Sequence, residues 1–121
     1  MPPSQRVAIV DDDPGVRGSI VSLLRSVGLT GVPFANGGAL LDSPHLEAFA
    51  CIVTDVHMDG VDGPALQTEL RRRGCAAPLI VMTAFPTATT RQQMLAAGAR
   101  AFLTKPIDPD TLLEAIEDAV A

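Results

Sequence analysis

Five short apolar runs recur along the chain, and helix-like stretches with polar loops separate them. This alternation is the strongest constraint on the fold. The runs are "RVAIVD" (6–11), "TGVPF" (30–34), "ACIVTD" (50–55), "PLIVMT" (78–83) and "AFLT" (101–104), all too brief for helices and mostly rich in strand formers. Strands that alternate with helices across short loops run parallel, because each helix returns the chain to the starting edge. A parallel sheet is covered on both faces, so the expected architecture is one doubly wound α/β domain spanning 1–121.

The helical stretches carry their own punctuation. In the first, Asp13 suits the N-cap, Pro14 the first helical position and Gly28 the exit, while Val16, Ile20, Leu23, Leu24 and Val27 fall on one stripe. Pro33 cannot donate to a sheet ladder, which puts "TGVPF" at an edge. A short helix is expected from Gly38 to Asp42, and another from Pro64, with Leu66 and Leu70 inward, to Gly74. "TATTRQQMLAAG" ends at Gly98, and Asp108-Pro109 opens the last helix, with Leu112, Leu113, Ile116 and Val120 facing the core.

Composition narrows the function. The formal net charge is −5, which argues against a nucleic-acid surface, where clustered Lys and Arg must neutralise phosphates. The one basic run, Arg71-Arg72-Arg73, precedes Gly74 and reads as cations at a helix C-terminus. Cys51 and Cys75 match no metal spacing and read as small buried thiols, which suits a reducing cytoplasm. "MPPSQR" has no signal-like core and no run reaches the length of a membrane span, so neither secretion nor membrane insertion is expected. His45 and His57 are not spaced as a metal pair.

The ends of the strands carry the chemistry. In a parallel sheet they converge on one edge, and here they deliver Asp11 and Asp12, then Asp55, Thr83 and Lys105. Two carboxylates held 4 Å apart repel by about 4 kcal/mol at an effective dielectric of about 20. A hard divalent cation with oxygen ligands offsets this while leaving the acids ionised, and Lys105 adds a further positive charge. A cation and a lysine around acids is what phosphoryl transfer needs, since that reaction is dominated by positioning and charge neutralisation. Asp55, alone at its strand end, is the candidate acceptor for an aspartyl phosphate, and Asp11 and Asp12 are the candidate metal holders.

Together these motifs make the chain resemble the receiver domain of two-component response regulators, from about Arg6 onward. The residues that carry the resemblance are "VDDDP", "IVTDVHMDGVDG", "VMTA" and "FLTKP", in that order and each at a strand end. The resemblance implies a flavodoxin-like strand order of 2-1-3-4-5. It implies Mg²⁺, with Mn²⁺ as a substitute, held by Asp11, Asp12, Asp55 and the backbone carbonyl of His57. It also implies a switch pair of Thr83 and Phe102, although from the residues alone Phe102 reads as core, and a cis bond at Lys105-Pro106. Asp59 stands where the family usually has proline. It is expected to modulate the site, as are Ala84 and Phe85; His57 and Phe85 occupy positions that tune dephosphorylation in the family.

The function expected is then a signalling switch. A sensor histidine kinase donates a phosphoryl group to Asp55, and a changed surface from Thr87 to Ala121 controls a downstream effector. The domain would act as an enzyme only on its own phosphorylation and dephosphorylation, and dimerisation on phosphorylation is common in the family. Two rival readings remain at this point. A flavin- or nucleotide-binding module would need a Gly- or hydroxyl-rich phosphate loop where "DDDPG" stands. A metal-dependent phosphohydrolase would need a second carboxylate two residues after the nucleophile, where His57 stands.

Overall fold

A computed structural model describes residues 5–44, 46–56 and 63–120. The elements run β1 (Arg6–Val10), α1 (Pro14–Ser26), β2 (Thr30–Phe34), α2 (Gly37–Leu41), a 3₁₀ turn (Leu46–Ala48), β3 (Cys51–Asp55), α3 (Gly63–Arg72), β4 (Leu79–Thr83), α4 (Ala88–Ala96), β5 (Ala101–Thr104) and α5 (Pro109–Val120). The five strands form one sheet in the order β2-β1-β3-β4-β5, and every pairing is parallel. Pro33 pairs opposite Ile9 on the edge strand β2, where its missing N–H costs the ladder least.

Strand periodicity divides the core in two. Ala8, Val10, Ile52 and Val81 point to the side covered by α2, α3 and α4, where Leu40, Leu66 and Met94 meet them. Their neighbours Val7, Ile9, Val53 and Ile80 point to the other side, against Ile20 and Leu24 of α1 and Leu112 and Ile116 of α5. β3 and β4 are buried along their whole length, which is why their sequences are continuous rather than alternating apolar runs.

Helix ends follow local chemistry. The Asp13 carboxylate accepts from Gly15 N at 2.8 Å and Pro14 takes the first helical position. α2 begins one residue earlier than expected because Asn36 caps it, its Oδ1 accepting from Ala39 N at 2.8 Å. Val27 is a correction to the inward stripe: α1 stops at Ser26, and Val27, as the C-cap residue, is 43% exposed. Gly28 follows with φ of 81°, a left-handed conformation that glycine adopts without a Cβ penalty.

The basic run is built into the fold. Arg71 Nη1 donates to the Cys75 carbonyl at 2.7 Å, and Arg73 Nη1 reaches the Leu41 carbonyl at 3.0 Å, tying α3 to α2. Arg72 and Arg73 both pair with Glu69, whose carboxyl their hydrogen bonds hold down to about 2. Arg71 and Arg73 are therefore committed to the fold, while Arg72 is neutralised on the surface.

Candidate functional site

The C-terminal ends of β1, β3, β4 and β5 lie along one edge of the sheet, and the strand order reverses between β1 and β3. A crevice outside the strand ends at such a reversal is where sheets of this kind bind ligands. Asp11 is fully buried there, Asp55 nearly so, and Asp12 is exposed at the mouth. One carboxylate oxygen from each of the three lies within 4.8 Å of the others.

Lys105 enters from the loop after β5 and spans the two buried acids. Its Nζ donates to Asp11 Oδ2 at 2.7 Å and to Asp55 Oδ2 at 2.5 Å. Burial alone would push the ammonium toward its neutral form, but the hydrogen bonds and negative charges of Asp11 and Asp55 outweigh it, so Lys105 is held above the ordinary lysine range. The Lys105–Pro106 peptide bond is cis.

Thr83, the last residue of β4, is fully buried, and its Oγ1 accepts from Phe85 N at 3.0 Å. Ala84 and Phe85 are exposed beside the site, Phe85 at 72%. Phe102 is half-buried on β5, paired with Val81 and resting against the α3 and α4 side of the core. His57 and Asp59 lie outside the described residues, as do His45 and Ala121. A groove of about 900 Å³ opens beside the rim, lined by Val16, Ile20 and Leu23 of α1 and by Ile107 and Leu112, with Ala84 and Lys105 contributing to its wall.

Two contacts escaped the reading of strand ends. Arg17 Nη1 donates to the Asp11 carbonyl at 2.7 Å, and Thr54 Oγ1, buried, donates to the Asp55 carbonyl at 3.0 Å. The only sequence signal for the first is an arginine one helical turn past an acidic loop, and for the second a hydroxyl inside an apolar strand.

The donor set suits a hard divalent cation. Three carboxylates from two neighbouring strand ends converge, one of them open to solvent, and the two buried ones already share a cationic partner. Chemically, the arrangement holds two buried carboxylates, an ammonium bridging them, and a buried hydroxyl at the end of the adjacent strand β4.

The sequence matches the family described as the response regulator receiver domain over residues 7–117. It is 38% identical over 116 residues to the transcriptional regulatory protein FixJ of Azorhizobium caulinodans, covering 96% of this chain and 55% of that protein. Among solved structures it resembles the crystal structure of FixJ-N, with 30% identity, a TM-score of 0.86 and coverage of 97% of this chain and 94% of the other. It also resembles the chemotaxis protein CheY4 of Vibrio cholerae, with 25% identity, a TM-score of 0.87 and coverage of 96% and 98%. The chain spans about half the length of several curated relatives that it matches.

Proposed function

This chain belongs to the response regulator receiver domain family, and we propose that it is a phosphoacceptor switch that takes a phosphoryl group from a sensor histidine kinase onto Asp55. The observation that carries the reading is the bridge from Lys105 to both Asp11 and Asp55 at the closing edge of the sheet. It supports the reading because phosphoryl transfer to a carboxylate needs a positive charge fixed beside the acceptor.

In the reaction a carboxylate oxygen of Asp55 forms the new P–O bond as the P–N bond to the donor imidazole breaks, and the electron pair leaves with that nitrogen. Mg²⁺, or Mn²⁺ in its place, would be held by Asp11, Asp12 and Asp55 with the His57 carbonyl, and when bound it supplies neutralisation of the phosphoryl oxygens. Asp11 and Asp55 hold Lys105 charged and aimed at the acceptor, ready to pair with the added negative charge. Thr83 offers its O–H to a phosphoryl oxygen, and its present bond with Phe85 N uses it only as an acceptor.

The conformational response is the one that the family resemblance implies. Thr83 and Phe102 sit on neighbouring strands, an arrangement that suits a hydroxyl moving toward the phosphoryl group while the Phe102 ring turns inward. The surface from Thr87 to Ala121, comprising α4, β5 and α5, changes with it and alters affinity for a downstream effector or a second copy of the chain. The domain acts catalytically only on its own aspartyl phosphate, and its working compartment is the cytoplasm. Among the described residues no helix is long and apolar enough to cross a membrane.

Intact mass after incubation with acetyl phosphate tests the reading. Wild-type protein should gain one phosphoryl group only when Mg²⁺ is present, the adduct should be alkali-labile, and Asp55→Asn should gain none. Equal labelling of Asp55→Asn would move the acceptor elsewhere, and no adduct on the wild type under any condition would overturn phosphoryl transfer altogether.

A further inference from the structure

The phosphoryl-transfer reading leaves one charged side chain at the rim unused. Arg17 lies on α1, six residues beyond Asp11, and its guanidinium reaches back to the Asp11 carbonyl. A buried backbone carbonyl is costly without a partner, and the register of β1 with β2 and β3 ends at Val10, one residue short of Asp11. The first carbonyl past the ladder is thus handed to a side chain.

The consequence falls on Asp12. The peptide preceding Asp12 is held through its carbonyl by Arg17, at 2.7 Å. The peptide following it is held through the Asp13 N–H, which donates to Asp11 Oδ1 at 2.9 Å. Asp12 is itself exposed, and these two pinned peptides fix the direction in which its side chain leaves the backbone. Of the three carboxylates it is the one not already engaged by Lys105.

We propose that Arg17 is a positioning residue for the cation site: by clamping the Asp11–Asp12 peptide it presents the Asp12 carboxylate to a divalent cation shared with Asp11 and Asp55. The inference rests on the reading of this cluster as a magnesium site. Arg17 exerts two opposed effects there. Its positive charge disfavours a nearby cation, while its hydrogen bond orders a ligand, and groups that orient metal ligands are typically worth ~10–100-fold in affinity. The sign of the change on removing Arg17 therefore decides between them.

The test is calorimetric titration of Mg²⁺ into wild type, Arg17→Met and Arg17→Lys, each checked for a native amide spectrum. Arg17→Met should bind Mg²⁺ about tenfold more weakly, despite losing a positive charge, and Arg17→Lys, which keeps a donor able to reach the carbonyl, should recover most of the affinity. Phosphorylation by acetyl phosphate should need more Mg²⁺ in Arg17→Met yet reach a near wild-type rate once saturated. Unchanged or tighter Mg²⁺ binding by Arg17→Met would overturn the clamp while leaving the function standing, whereas a wild type that binds no Mg²⁺ would overturn both. If Arg17→Met does not fold, Arg17→Gln, shorter by two atoms, repeats the comparison with the same expected loss.

Discussion

Cys51 shows how burial reaches a single atom. It opens β3 with no exposure, and desolvation lifts its thiol to about 12, against the smaller opposing pulls of the Ile52 backbone hydrogen bond and the Arg100 charge. The folded protein therefore keeps a proton that the unfolded chain releases near pH ~9, so stability is fully present below that pH and falls as pH rises toward about 12. Denaturant midpoints should show Cys51→Ala losing less stability than wild type on alkalinisation, by about 1–2 kcal/mol near pH ~10. Parallel curves for the two proteins would contradict the shift. The buried thiols were legible because both flank apolar runs, and both are free and buried. Val27 and Arg17 were not, for different reasons. A periodic stripe does not say where the last turn stops, and a contact from Arg17 back to a carbonyl six residues earlier leaves no apolar pattern to read.

The helices differ in how firmly they are held, and α4 is the weakest case. Its sequence has no apolar stripe: Met94 is its one buried residue and Leu95 is 39% exposed. What ties its C-terminal end is Gln67 of α3, whose Nε2 donates to the Ala97 carbonyl at 2.7 Å. The other end of that amide, Oε1, is buried and has no hydrogen-bond partner among the described residues. α5 instead buries Leu112 and Ile116 against the sheet. Segments with few buried apolar contacts open first, so native-state hydrogen exchange should be faster for the bonded amides of α4 than for those of α5. Gln67→Met should widen the gap, because it removes the tether, while changing global stability by only about 1 kcal/mol, since it also removes an unpartnered buried oxygen. Equal protection of the two helices would show that α4 is anchored by something other than Met94 and Gln67. Sequence reading found the start and end of α4 through Thr87 and Gly98, which are local signals. Its loose attachment depends on a side chain 30 residues away and could not be read locally.

At the scale of the molecule, the alternation of brief apolar runs with capped helices was enough to specify a parallel sheet covered on both faces, because few other arrangements bury such runs. Periodicity does not fix the order of strands, and 2-1-3-4-5 came from the family resemblance, with which the structure agrees. That order is what brings Lys105 to Asp11 and Asp55 across separations of 94 and 50 residues. The bridge joins the loop after an edge strand to the ends of β1 and β3 while passing the end of β4, so it stabilises the closing edge as a unit. Lys105→Met would leave two carboxylates, at 0% and 9% side-chain exposure, without the ammonium that bridges them. Breaking a buried pair by removing one partner costs about 3 kcal/mol or more. The urea midpoint should therefore fall, and added Mg²⁺ should restore more stability to the variant than it adds to wild type. A variant as stable as wild type would mean that the acids need no lysine to hold them, and Lys105 would then serve the chemistry of the site without holding the fold together.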